Sequence, residues 1–250
     1  MKRYALLLSL LLLAGCRPQT SRTAQNLPPP TLPSNLAVRP RVLLTDGRKI
    51  EAGTAFGATL DGSKPILLTA LHLFGEAGGL QSDIPPQSLP DQVQDITLFD
   101  MEYGSQLGTT GRGLLRDGYP MRDDGPYVDC SGDIVAFQLP EGIAIGSAPI
   151  AAENPEVGER VWIVGKEYKE KGPTANLYSG VVAEVSTGVI ALEEDVPFDG
   201  RGFSGGPVVN AKGEVVGTVI GSAEKLGKKY SLLNPIEAIR SRLKAANIGQ

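Results

Sequence analysis

Apolar positions in this chain gather in short runs, each closed early by glycine, proline, asparagine or aspartate. From residue 41 onward they read "RVLLTD", "GTAFGATL", "PILLTALHLF", "DITLFDM", "DIVAFQL", "RVWIVGK", "YSGVVAEVS", "GVIALEE" and "PVVNAKGEVVGTVIG". Their valine, isoleucine, threonine and aromatic content suits a pleated, half-buried surface, so the pattern predicts many short antiparallel strands. An all-β barrel or sandwich follows. Only the end departs from this rhythm. In "NPIEAIRSRLKAANI" the residues Ile236, Ile239, Leu243 and Ala246 fall on one helical face. That spacing predicts a helix with Asn234 as its N-cap and Pro235 at the first helical position, docked on the barrel by its apolar stripe. No internal repeat recurs at a fixed period.

The first sixteen residues, "MKRYALLLSLLLLAGC", place Lys2 and Arg3 ahead of an apolar run that closes at Gly15. The run is shorter than the roughly 20 residues a spanning helix needs, and it has the form of a secretory signal. Its end, Leu13, Ala14, Gly15 and Cys16, resembles the lipobox of bacterial lipoproteins. That resemblance implies lipid on Cys16, which becomes the mature N-terminus, and an extracytoplasmic protein anchored to a membrane of the cell envelope. Residues 17–40 are polar and proline-rich, with too little apolar content for a core, and read as an extended tether. The remainder, from residue 41, is long enough for one sizeable core or two packed halves.

Charge and cysteine content remove several function classes. A net charge of −4 offers no case for nucleic acid. The basic residues after Glu224 (Lys225, Lys228, Lys229, Arg240, Arg242 and Lys244) lack interleaved aromatics and read as a solvated face. With Cys16 lipidated, Cys130 is the only thiol left in the mature chain, so no intrachain disulfide can form. One cysteine and one histidine cannot build the usual zinc shells, and the acidic run Glu193, Glu194, Asp195 lacks the alternating ligands of a calcium loop. That run reads as exposed, and neither metal nor cofactor is expected.

The candidate chemistry lies in "GRGFSGGPVV", Gly200 to Val209, where Ser204 stands among four glycines. Such crowding marks a tight turn or a place where another backbone approaches closely. "GFSGG" satisfies the G-x-S-x-G pattern of the α/β-hydrolase elbow, but that design needs a helix directly after the serine and a later histidine. Here a strand, a turn at Asn210 to Gly213 and another strand are expected, and the sole histidine, His72, comes first. The elbow reading fails on both counts.

The order His, Asp, Ser is that of the trypsin-like serine proteases. "ILLTALHLF" around His72 is similar to that family's T-A-A-H motif, with Leu71 in place of the second alanine. "GDIVAFQLP" around Asp133 resembles the strand that begins with the triad aspartate, and "GFSGGPVV" around Ser204 looks like the G-x-S-G-G-P signature. "GEVVGTVIGS" and "YSLLNPIEAIRSRL" resemble the final strands and closing helix, so the likeness spans about residues 41 to 246. It implies two six-stranded antiparallel β-barrels, here 41–145 and 146–250, divided within "LPEGIAIGSAPIAAENPEVGE", with the cleft between them. Ser204 would be the nucleophile, His72 the general base and acid, and Asp133 the residue that orients the imidazole. The backbone N–H groups of Gly202 and Ser204 would form the oxyanion hole, and Gly205 and Gly206 would let the substrate-side backbone pack close. Asp95, in "QDITLFDM", competes for the acid; it lies only 23 residues after His72, a short path for a strand and its return.

Animal members of the family commonly carry an acid directly before the serine, which pairs with a newly cut N-terminus during activation. Phe203 stands there in this chain. No such zymogen step is therefore expected, and the support of the oxyanion turn must come from elsewhere. Bacterial Do-type proteases also lack that acid but append PDZ domains, whereas this chain stops after its closing helix. The resemblance places the pocket for the substrate side chain at Phe198, Asp199, Ile220, Gly221 and Ser222, with an apolar or small preference because Phe198 stands where an acid would select basic residues. Two function classes follow. One is a lipid-anchored serine endopeptidase acting on protein or peptide; the other is a catalytically inactive trypsin-fold module that binds a partner at the envelope.

Overall fold

A computed structural model of the protein describes residues 27–111, 113–123 and 128–248. The leader, Cys16 and the first part of the tether lie outside the described residues. Ten strands fall in the first half: β1 (Ala37–Leu44), β2 (Lys49–Ile50), β3 (Ala55–Thr59), β4 (Ile66–Thr69), β5 (Val93–Phe99), β6 (Gln106–Thr110), β7 (Arg122–Asp123), β8 (Val128–Asp129), β9 (Val135–Gln138) and β10 (Ser147–Pro149). Six follow: β11 (Arg160–Gly165), β12 (Asn176–Val185), β13 (Ile190–Glu194), β14 (Pro207–Val209), β15 (Val215–Lys225) and β16 (Lys228–Pro235). The fold is all-β, closed by a helix at Ile236–Ala245.

The second half matches the expected design, a closed barrel in the order β11-β12-β13-β16-β15-β14. The first half differs. It is an eight-stranded sheet with the path β6-β5-β1-β3-β4-β9, on which β2 and β10 are lateral additions. Strand β10 pairs in parallel with β3, so residues 147–149, expected in the second barrel, complete the first sheet instead. Strand β1 likewise begins at Ala37, inside the expected tether, and Leu36, Val38 and Arg39 are buried.

Alternation along the strands sorts side chains into three cores. Val135 and Phe137 of β9 face the interior of the first sheet. Ala136, between them, points the other way, into a middle layer that also holds Leu68, Trp162, Val209 and the helix residues Ile236, Ile239 and Leu243. Val161 and Ile163 of β11 fill the closed barrel, while Trp162 and Val164 enter the middle layer. Strands buried on both faces need apolar residues at every position. This is why "ILLT" and "VWIV" read as continuous apolar runs.

The helix departs from its expected start. Strand β16 runs through Asn234, which pairs with Thr218 of β15 and is fully buried, so Pro235 occupies the N-cap position and no side chain caps the helix. Tertiary packing of the β16 backbone outweighs the capping preference of asparagine. The basic residues of the helix are not merely solvated either: Arg240 pairs with Asp61, Arg242 with Asp117, and Lys244 with Asp61, tying it to the first half. The acidic run is similarly engaged. Glu193 pairs with Lys228, Asp195 with Arg160, and Glu194 accepts from Ser231 Oγ at 2.9 Å.

Candidate active site

His72 sits in the 3-10 turn Leu71–Phe74 that follows β4, flanked by the buried Leu71, Leu73 and Phe74. Those neighbours hold the turn, while the imidazole keeps 15% of its side chain exposed. Strands β4 and β9 are antiparallel, with Thr69 opposite Val135. Continuing that register past its last pair carries Asp133 alongside Leu71, one residue from His72. The contact is direct: His72 Nδ1 lies 2.8 Å from Asp133 Oδ2, and the His72 backbone N–H donates to Oδ1 at 2.9 Å. Met121 N–H donates to Oδ2 at 3.0 Å. Three donors satisfy a carboxylate with no exposure to solvent. Because an ionised carboxylate only accepts, Nδ1 must carry its proton, and Nε2 is left as an acceptor.

Asp95 has no part in this arrangement. It lies opposite Leu43, in β5, and the path β5-β1-β3-β4 puts three strand spacings between it and the β4 end. At ~4.8 Å each, that is roughly 14 Å.

Cys130 lies beneath the pair: its carbonyl accepts the Asp133 N–H at 2.9 Å. The thiol is fully buried, and burial first, with Asp133 and Asp129 adding, raises its pKa far above the ordinary value. A thiol so protonated is inert.

Ser204 comes from the loop between β13 and β14, and this loop is bound on both sides. Gly205 N–H donates to Val219 O at 2.7 Å and Val219 N–H to Gly206 O at 2.9 Å, fastening it to β15. Across the cleft, Thr54 N–H donates to Ser204 O at 2.8 Å and Thr54 Oγ1 to Gly202 O at 2.7 Å. Gly205 has φ +82°, and a Cβ there would lie 2.7 Å from Ala70 N and 2.4 Å from Thr54 O. The residue after Ser204 is thus pressed backbone to backbone against the segment leading into His72. This close approach answers why glycine stands at 205. No hydrogen bond joins Ser204 Oγ to His72 here; such bonds in unliganded sites commonly tighten only when substrate arrives.

Residues 200–203 form a turn, with Phe203 N–H donating to Gly200 O at 3.2 Å and Gly202 at φ +93°. Positive φ at the third position marks a type II turn; a type I turn would flip the Arg201–Gly202 peptide and reverse the Gly202 N–H. Neither Gly202 N–H nor Ser204 N–H has an acceptor among the described residues. Phe203, where an acid was absent from the sequence, is fully buried in the closed barrel, its ring 5.0 Å from Tyr178 and 4.8 Å from Phe198. An aromatic anchor therefore holds the turn from below.

The expected pocket residues divide. Gly200 and Ser222 face each other, a Cβ on the former reaching Ser222 Oγ at 3.9 Å, and Gly221 lies beside Met121. The Phe198 ring instead belongs to the barrel core, and Ile220 to the core of the first sheet. Asp199 is paired with Arg201, which holds its carboxyl down at about 2. Sequence reasoning missed Thr54 and Arg39, both of which hold the Ser204 turn. The only sequence sign was Arg39 in "VRPRV", placed in the tether by the prolines of residues 17–40.

A family model for the trypsin-like peptidase domain matches residues 52–217. A search of curated protein sequences gives no match. Among solved structures, the Rv3671c protease of M. tuberculosis in its active form is similar, with a TM-score of 0.53 at 17% identity, covering 91% of this chain and 93% of that one. A serine endoprotease from Yersinia pestis superposes at 0.52 with 17% identity, covering 86% of this chain and 64% of its own. The thermostable serine protease AL20, from an extremophilic microorganism, gives 0.53 at 12% identity over 86% and 98%. At these identities the structural likeness shows the fold alone, whereas the family match spans more than half of the chain. On that match the chain belongs to the trypsin-like peptidase domain family and is a serine endopeptidase of that family.

Proposed function

We propose that the protein is a lipid-anchored, extracytoplasmic endopeptidase that cleaves with Ser204, His72 and Asp133. The observation that carries the reading is the bonded His72–Asp133 pair, buried on its acid side and open on its imidazole side, in the same cleft as a serine turn with two unspent N–H donors. Ser204 Oγ attacks the peptide carbonyl while His72 Nε2 takes its proton; the proton then passes to the leaving amine, and Asp133 stabilises the charged imidazole between the two transfers. The carbonyl oxygen, negative in the tetrahedral intermediate, is received by the N–H groups of Gly202 and Ser204. Water then repeats the sequence on the acyl-enzyme. For the substrate side chain the walls at Gly200, Gly221 and Ser222 suit an apolar or small group. Asp199 is occupied by Arg201, and Glu194 by Ser231 with Lys229 nearby, so neither carboxylate is free to select a basic residue.

Incubation of the pure protein with fluorescently labelled unfolded protein tests the activity: cleavage that stops in Ser204→Ala is expected. Binding without cleavage would favour the inactive module instead.

The anchor rests on the lipobox-like "LAGC" and the proline-rich segment after it. A single acyl chain attaches weakly and several attach firmly. Cys16→Ala is expected to release or misprocess the protein, measured by membrane fractionation and uptake of labelled fatty acid. An unchanged membrane fraction, with no label in the wild type, would refute the anchor.

A further inference from the structure

Arg39 is one of the largest fully buried side chains of the protein, at 1% exposure. It rises from β1 of the first sheet, yet its guanidinium ends at the turn that carries Ser204. Nη1 donates to Gly202 O at 2.7 Å, to Gly53 O at 2.9 Å and to Thr54 Oγ1 at 3.3 Å, and Nη2 donates to Lys166 O at 2.5 Å. Its Cζ lies 4.6 Å from the centre of the Tyr168 ring, whose hydroxyl accepts the Gly53 N–H at 3.1 Å. No carboxylate pairs with it among the described residues, and Nε has no acceptor. We propose that Arg39 is a positioning residue that clamps the oxyanion turn, joining the first sheet, the end of β11 and the Gly202 carbonyl at one buried cation.

The location of the clamp makes the argument. The two donors for the oxyanion, Gly202 N–H and Ser204 N–H, belong to the peptides on either side of the Gly202–Phe203 peptide. That middle peptide is held at both ends, its carbonyl by Arg39 and Thr54 and its N–H by Gly200 O. If it rotates, the flanking N–H groups no longer converge on one point. In family members with an acid before the serine, an ion pair supports this turn; here the corresponding residue is Phe203, and the charge arrives from the opposite side, through Arg39. Stability alone gives no reason for a guanidinium in this place. Removing a cation from water is costly, burial lowers the pKa of Arg39, and an apolar side chain of similar volume commonly replaces a buried charge without loss of folding. Five planar donors that reach several carbonyls at once, which lysine or methionine cannot do, give the reason.

The inference rests on the endopeptidase reading, and the experiment separates the two. The full-length protein and its Arg39→Met and Thr54→Val variants are treated with an alkyl fluorophosphonate at a series of pH values. A displaced catalytic group costs on the order of 10²-fold in rate, so Arg39→Met is expected to label about 10²-fold more slowly at every pH. Thr54→Val removes one of the two donors to Gly202 O and is expected to label about tenfold more slowly, the smaller part of that loss. The shape of the pH profile stays that of the wild type, because the clamp does not touch His72 or Asp133. Amide exchange gives a second readout: the Phe203 N–H exchanges faster in Arg39→Met, while the Val182 N–H, bonded to Glu159 O in the barrel, keeps its rate. Labelling at the wild-type rate, or exchange that quickens equally at Phe203 and Val182, overturns the proposal and makes Arg39 a packing residue. If Arg39→Met does not fold, Thr54→Val decides by the same two readouts. A wild type that takes no label refutes the endopeptidase reading and the oxyanion role with it, and exchange at Phe203 then decides whether Arg39 orders the turn at all.

Discussion

Ser204→Ala and His72→Ala are each expected to abolish labelling of the folded protein by a fluorophosphonate, and each to lower peptide cleavage by roughly 10⁶. An ordinary serine hydroxyl does not react with such a probe at neutral pH; reaction requires a base to take its proton and donors to receive the charge. On the proposed reading both lie in one cleft. His72 is held by Asp133 in the tautomer that leaves Nε2 unprotonated, and the N–H groups of Gly202 and Ser204 are uncommitted. One molecule of probe per chain is expected, on Ser204. The double variant is expected to lose no more than either single one, because attack and proton transfer are one event. Mass spectrometry of the labelled peptide checks the site. Additive losses, or a well-folded wild type that stays unlabelled, would leave a trypsin-like fold without its chemistry, and the envelope-binding reading would replace it.

What was legible in the sequence follows from which interactions are local. The His72 and Ser204 motifs each sit in one short segment whose composition their backbone requires: a buried β4 run ending in a tight turn, and a glycine-rich loop pressed against Ala70 and Thr54. The order of the three residues then joined them. Asp133 could be preferred over Asp95 only by path length; the physical reason, the β4–β9 register, is a long-range pairing that no local pattern encodes. The same limit hid β10, three residues whose parallel partner lies far back in the chain, and the start of β1, where one proline between two arginines disguises a strand. Strand β1 tolerates Pro40 opposite Leu98, and its buried arginine makes sense only once Gly202 and Lys166 are brought to it. The asparagine before the closing helix misled for the opposite reason. Its local preference for capping is genuine, but Asn234 is the end of a barrel strand.

Asp133→Asn is the second large effect, expected to lower turnover by a factor on the order of 10⁴ at neutral pH while the fold survives. The carboxylate accepts three hydrogen bonds, two of them from backbone groups that cannot move: His72 N–H at Oδ1 and Met121 N–H at Oδ2. An asparagine has one oxygen and one NH₂ group, so one of these fixed donors must face another donor. With the NH₂ group in place of Oδ2, it also faces His72 Nδ1, which then becomes the acceptor; the proton moves to Nε2, and the base for Ser204 is lost. With the NH₂ group in place of Oδ1, the tautomer is kept, but the negative charge that stabilises the imidazolium is gone. Either arrangement impairs proton transfer, and the unmatched donor costs about 1–3 kcal/mol of stability, which thermal unfolding would register. Asp95→Asn, three strand spacings away, is expected to leave turnover within about twofold, since nothing connects it to the imidazole beyond the sheet itself. Turnover on labelled unfolded protein, measured beside a melting curve for each variant, separates the two effects. A large loss at Asp95 with little at Asp133 would move the acid to β5 and place the strand pairing of the first sheet in error.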